Sequence, residues 1–281
     1  MGGQMIRDHN RLLQFCEEAS VRRRELQATT SRRDFFYHLL QGKDPQTGAS
    51  YSKADLLSES LLLVIAGSDT SSTCLAAAFF YLVRNTHCLK RLTAEVRNIR
   101  RVEDITAANV QESKMPYLRA CINETLRMAP PTTAHLPREV LSGGAVVDGT
   151  YFPRGTILGV TIYALHHNEE YYPDPFTFSP DRWIADPAAG VSAESVTRAH
   201  SAFCPFSVGA RGCIGKNMAY MELSLALTYA LWNYDVRAKS GDHTGEGAPG
   251  NRWGRERQGE YQLFDHFVSE RAGPMIELRA R

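Results

Sequence analysis

With 281 residues, 43% of them hydrophobic and 22% charged, the chain has the composition of an ordinary globular protein. A formal net charge of +1 excludes a general attraction to nucleic acid or to anionic lipid surfaces. Six cysteines without a CxxC pair exclude a zinc ribbon or a secreted disulfide framework, and predict a reduced, cytosol-facing chain.

Residues 1 to about 26 read as a helix with one charged side. The Arg22-Arg23-Arg24 run, followed by Glu25, marks a solvated face, and Arg100-Arg101 reads the same way. No continuous apolar core follows Met1, so no signal peptide is expected. After a break at Ala28–Ser31, Ser31 is the candidate N-cap of a short helix, Arg32 to Gln41, stopped by Gly42. Beyond the polar loop KDPQTGAS, Ser52 caps a helix that runs to Arg84. Its most apolar part, Leu61 to Val83, carries Asp69 in the middle. That charge argues against a bilayer span and predicts a helix buried at the centre of a domain.

Leu89 to Arg101 and Met115 to Met128 are the next predicted helices, the latter ended by Pro130-Pro131. Residues 137–163 alternate apolar and polar with Gly and Pro breaks, predicting three short strands. The proline-rich stretch YYPDPFTFSPDRW is too broken for a regular element. A helix is expected from Ile214 to Trp232, a mobile Gly-rich loop over 238–260, and a closing hairpin over Phe264–Leu278. The fold class is mainly α with small β-sheets, in one unit without a linker.

The loop FSVGARGCIG, residues 206–215, holds the densest chemistry. A soft thiolate suits axial ligation of haem iron. Glycines let the backbone approach closely, and the positive end of a following helix stabilises the sulfur anion. Taken one letter at a time, Cys213, Gly209 and Arg211 read better as a buried cysteine in a helix-leading turn; the full spacing F-x-x-G-x-R-x-C-x-G is the demanding feature.

That spacing resembles the haem-binding signature of the cytochrome P450 superfamily, and further marks of the family follow in order. Glu124-Thr-Leu-Arg127 resembles its E-x-x-R motif, an i,i+3 pair on one helix face. Phe178-Ser-Pro-Asp-Arg182-Trp183 resembles its arginine-bearing meander, so the resemblance implies a buried Glu124, Arg127 and Arg182 network. Ala66-Gly67-Ser68-Asp69-Thr70-Ser71 resembles the oxygen-activation motif, with Ser71 in place of a second threonine. There a glycine and hydroxyls are expected to loosen the helix ladder.

The resemblance implies a haem-thiolate monooxygenase carrying haem b, with Cys213 as iron ligand and Phe206, Gly209 and Gly67 lining the haem. Arg211 and Arg138 are expected to hold its propionates, and Asp69 and Thr70 to handle protons and oxygen. Expected partners are O2, a small lipophilic substrate and NADPH-cytochrome P450 reductase, at the endoplasmic reticulum. His135 is expected to line the pocket or serve structure, Cys204 to be packed, and His166-His167 to be structural because adjacent residues on an extended segment point apart. Val64–Ser68, Thr132–Leu136 and the C-terminal hairpin are the expected substrate contacts.

The LPREVLSGGAVVDGTYFPRGT texture resembles fungal microsomal members of specialised metabolism. The match falls on the C-terminal part of the family domain, so residues 1–281 are expected to form one partial domain without the family's N-terminal half and membrane anchor, poorly soluble and binding haem weakly or not at all by itself. Two alternatives stand beside the monooxygenase. One is a truncated, catalytically silent fragment; the other is a relative that rearranges peroxides, which the retained Asp69-Thr70 pair disfavours.

Overall fold

The computed structural model describes residues 2–26 and 29–281, the side chains of residues 2–5 excepted. The break expected after residue 26 therefore lies partly outside the described residues. Two compact units divide the chain, residues 1–69 and 70–281.

The first unit contains helix α1 (Gly2–Leu26), helix α2 (Phe35–Gln41) and the first half of helix α3 (Lys53–Arg84). Ser31 is not the cap of α2. The Asp34 carboxylate accepts from the Tyr37 N–H at 2.9 Å, and Arg23 binds the same carboxylate at 2.8 Å. The Arg23 hydrogen bond pulls Asp34 down to about 2, so the cap is an anion where Ser31 would be neutral. Ser52 does open α3: its hydroxyl accepts from the Asp55 N–H while Asp55 accepts from the Ser52 N–H at 2.9 Å. Ser20 and Ser60 share a hydrogen bond of 3.1 Å between α1 and α3.

In the second unit, Phe80, Tyr81 and Leu82 of α3 are fully buried. They pack in one core with Leu92 of helix α4 (Thr86–Val96), Leu118 and Ile122 of helix α5 (Pro116–Met128), and Leu223, Leu227 and Leu231 of helix α8 (Lys216–Asn233). Helix α4 starts three residues before its expected position and ends before Arg101. Its end is drawn off by Arg97, whose guanidinium bonds the Leu231 carbonyl at 3.1 Å and Asp235 at 2.8 Å. Pro116 begins α5, where it forfeits no helical hydrogen bond. Glu95 of α4 caps that end from outside, accepting from the Tyr117 and Leu118 amides at 3.0 and 2.8 Å.

The strand region holds four short strands instead of three. Strands β1 (Arg138–Glu139) and β4 (Ile157–Leu158) pair antiparallel, enclosing a hairpin of β2 (Ala145–Val147) and β3 (Thr150–Phe152). Asp148 and Gly149, both at positive φ (48° and 73°), make its two-residue turn. Helix α6 (Ile162–His166) precedes the proline-rich connector, a 3-10 turn at Pro180–Trp183 ends it, and helix α7 (Ala193–Ser201) follows, none of them expected. Strand β5 (Tyr234–Ala238) pairs with β8 (Ile276–Ala280), and the closing hairpin is β6 (Leu263–Phe264) with β7 (Glu270–Arg271). The Gly-rich segment expected to be mobile is tied to α3 by Arg84, which bonds Glu246 at 2.7 Å.

The largest departure concerns α3. By length and composition it could cross a membrane, yet its residues from Thr73 to Val83 lie largely in the core. Its other half does not match the expected buried centre: Leu62, Leu63 and Ile65 to Asp69 are exposed. Apolar residues all round a helix permit burial but do not supply a covering element.

Candidate functional site

The bend before α8 follows from hydrogen bonds the sequence does not display. The Ser207 N–H donates to the Cys204 carbonyl at 2.9 Å, closing a turn with Ser207 at φ +57°. A 3-10 turn, Gly209–Arg211, follows, and Gly209 has φ +72°, a conformation that disfavours any residue with a Cβ. The Gly212 N–H then donates to the Gly209 carbonyl at 3.0 Å and the Cys213 N–H to the Phe206 carbonyl at 2.8 Å. These amides close the loop rather than serve the sulfur, and Gly215 rather than Ile214 begins the helix as N-cap of α8.

The outcome is a sulfur held outward. Cys213 is the one exposed cysteine; Cys204 is half-buried and the other four are buried. Phe206 is half-buried, its ring 5.2 Å from that of Tyr220, whose hydroxyl donates to Asn123 at 2.9 Å. In the same loop Val208 and Ile214 are 74% and 93% exposed, and a Cβ on Gly209 would meet nothing within 4 Å. Arg211 is exposed and, among the described residues, its guanidinium has no partner. One accessible soft donor, uncovered apolar neighbours and a cation at one side fit a haem with its iron on sulfur and a carboxylate at its edge.

Helix α5 carries the charged network. Glu124 and Arg127 are fully buried on α5, joined by bonds of 3.0 and 2.9 Å. Arg182 Nε and the Ser179 N–H reach Glu124 Oε1 at 3.0 and 2.9 Å, and Trp183 Nε1 reaches Oε2 at 3.0 Å. Burial opposes the charge on Glu124, but Arg127, Arg182 and the Ser179 amide outweigh it and hold the carboxyl below its ordinary range. Arg127 also donates to the His166 carbonyl at 2.8 Å and lies over the Tyr172 ring at 5.2 Å.

His166 is fully buried at the end of α6, not on an extended segment. Its Nδ1 lies 3.2 Å from the Arg127 carbonyl, and its Nε2 accepts from the Cys204 N–H at 3.1 Å. Desolvation, then Arg127, pushes it down to about 3. His167 stacks on Tyr163 with centroids 4.1 Å apart, and desolvation pushes it down to about 4.

On α3, Gly67 and Asp69 are exposed and Thr70 is half-buried. The helix is α-helical throughout, without the expected loosening; Ser68 Oγ bonds back to the Val64 carbonyl at 2.7 Å and Ser71 donates to Glu222 at 3.2 Å. Arg138 is exposed on β1, where its Nη1 bonds the Pro137 carbonyl at 2.9 Å. His135 is exposed and forms an isolated antiparallel bridge with Thr161, outside the β1–β4 pair. The structure thus gathers Glu124, Arg127 and Arg182, and places Phe206, Gly209, Arg211 and Cys213 in one loop. Sequence reasoning passed over the bonds of Trp183 and His166, and the only signal for either was nearness to the arginine-bearing connector.

A sequence model described as Cytochrome P450 matches residues 3–247. A cytochrome P450 monooxygenase of Gibberella zeae is 40% identical over 279 residues, 98% of this chain and 62% of its own length. Cytochrome P450 monooxygenase AKT7 of Alternaria alternata is 40% identical over 277 residues, covering 98% and 53%. A crystal structure of a cytochrome P450 superposes with TM-score 0.77 at 22% identity, covering 98% of this chain and 57% of that one. The chain therefore spans a little over half the length of these relatives.

Proposed function

The chain belongs to the cytochrome P450 family, and from that membership we propose that it serves a haem-thiolate monooxygenase in which Cys213 ligates the iron of haem b. The reaction takes R–H, O2, NADPH and a proton to R–OH, water and NADP+. The substrate is small and lipophilic, and the electrons come through NADPH-cytochrome P450 reductase. Residues 1–281 make up one partial family domain, working on the cytosolic face of the endoplasmic reticulum. The observation that carries the reading is the outward sulfur of Cys213, in a loop closed by its own backbone on a fully bonded ionic network.

When bound, haem supplies the oxygen chemistry, and a thiolate ligand favours cleavage of the O–O bond. Phe206 and Gly209 would line the haem, and Gly67 would offer helix backbone without a side chain. Arg211 and Arg138 would hold its propionates as charge-assisted donors. Thr70 would offer its hydroxyl as a hydrogen-bond donor to oxygen, while Asp69, exposed one residue earlier on the same helix, would pass protons in from solvent. Glu124, Arg127 and Arg182 touch no reacting atom; they hold the connector that leads into the loop.

Loading the chain with haem and recording the reduced carbonyl complex tests the ligand. The wild type is expected to show a red-shifted, thiolate-type Soret band and Cys213→Ala to lose it. A band retained in Cys213→Ala would overturn the assignment.

A further inference from the structure

We infer that His166 is a positioning residue for the Cys213 loop, held in a single tautomer that ties the loop's first amide to the buried ionic network. The functional meaning of this rests on the reading of Cys213 as the haem ligand; the structural strap does not.

Hydrogen-bond chemistry fixes the tautomer. The Arg127 carbonyl near Nδ1 can only accept, so Nδ1 carries the proton. The Cys204 amide near Nε2 can only donate, so Nε2 presents a lone pair. Both ring nitrogens are thereby spent, and the imidazole is neutral. Its plane is set by Phe203, stacked at 5.5 Å and 24°, and by the edge of Tyr172 at 6.2 Å. Arg127 returns a bond to the His166 carbonyl at 2.8 Å, so the residue is gripped at main chain and side chain by one partner.

The bonds run on without a gap. Glu124 holds Arg127, Arg127 holds His166, and His166 holds the Cys204 amide. The Cys204 carbonyl closes the turn at Ser207, and Phe206 within that turn receives the Cys213 amide. Residues 208–214 are exposed, so packing cannot fix this loop along its length. Its geometry has to be set at its ends, and His166 sets the first of them.

Two variants separate the two arms of the ring. In His166→Asn the side-chain amide replaces the Nδ1 donor and keeps the Arg127 bond, but nothing accepts from Cys204. In His166→Gln the longer side chain places its oxygen where Nε2 stood and keeps the Cys204 bond. Hydrogen–deuterium exchange on the full chain reads the loop in a peptide covering 203–214 and the scaffold in one covering 116–128. His166→Asn is expected to speed loop exchange about tenfold with the scaffold unchanged, the effect of stranding one buried amide. His166→Gln is expected to stay within about threefold of wild type, since its amide bond is kept. Equal loop exchange in the two variants, or a rise in His166→Asn shared by 116–128, overturns the strap.

A wild-type measurement covers the case in which neither variant folds. Nitrogen-15 spectra of the imidazole must show Nδ1 protonated and Nε2 bare, and the opposite tautomer overturns the inference. The carbonyl band of haem-loaded wild type reports separately on ligation. Its absence, with the exchange pattern intact, would sink the ligand assignment and leave the strap standing.

Discussion

The carboxylate of Glu124 and the sulfur of Cys213 are treated oppositely by the chain. The carboxylate takes five hydrogen bonds, from Arg127 twice, Arg182, Ser179 and Trp183, with no solvent exposure. The sulfur is exposed, in a loop where Val208 and Ile214 are exposed as well. A buried charge is tolerable only when its lone pairs are filled, so the ionic network is complete within the chain. The cysteine loop fills its hydrogen bonds on one side and shows apolar surface on the other. The charges of the scaffold are met within the chain, whereas the loop around Cys213 is left exposed.

The contrast breaks most sharply at Glu124. Glu124→Ala leaves Arg127 charged in the core and strips a partner from Arg182, Ser179 and Trp183. Removing one member of such a buried pair costs about 3–5 kcal/mol. Urea unfolding of the variant against wild type checks this. A loss under about 1 kcal/mol, the scale of surface pairs, would mean that the network is hydrated and unlike the one described.

Acid is the next largest lever. His166 is held near 3 against an ordinary 6.5, so between those values the unfolded chain binds the proton that the folded chain refuses. The stability it secures is whole above pH 6.5 and falls as pH drops through that window, by roughly 3 kcal/mol at pH 4. His167, held near 4, acts in the same direction. Glu124 adds its own loss only below 4.5, because its folded value is depressed. Urea midpoints from pH 7 to 4.5 therefore decline before the depressed carboxylates add their loss, with Glu260, raised by burial, working the other way, and His166→Gln flattens the decline. An unchanged slope in that variant would put the acid sensitivity elsewhere.

These two regions were not equally legible. Glu124 and Arg127 sit three apart on one helix, and Arg182 lies in a patterned connector, so side-chain letters alone pointed to the network. The cysteine loop announced itself by glycine and arginine spacing. What stayed hidden was carried by main chain: the Cys204 amide on His166, the Cys213 amide on Phe206, and the Glu95 carboxylate across the start of α5. A backbone amide has no letter. Helix α7 was legible and passed over, since Ser192 accepts from the Ser195 N–H at 3.1 Å and Glu194 lies in the first turn, a usual start signal. The burial of α3 was overread because composition reports what a helix can bury and not what covers it.

The smallest expected effect comes from the other side of the contrast. Ile214 is 93% exposed, so its side chain keeps nearly the same contact with water on unfolding, and little transfer energy is at stake. It directly precedes Gly215, the N-cap of α8, where a negative charge meets the positive end of the helix. That interaction favours an acid by about 0.3–1 kcal/mol. Ile214→Asp is therefore expected to leave unfolding stability within about 0.5 kcal/mol of wild type, or to raise it slightly. The same change puts a carboxylate beside Cys213, so a porphyrin over the sulfur would meet charge where it now meets an apolar side chain. Urea unfolding and haem titration on the one variant part the two effects: unchanged stability with weakened haem binding is the expected result. A destabilisation approaching that of Glu124→Ala would show that the loop is packed from both sides, and the contrast between the two regions would fail.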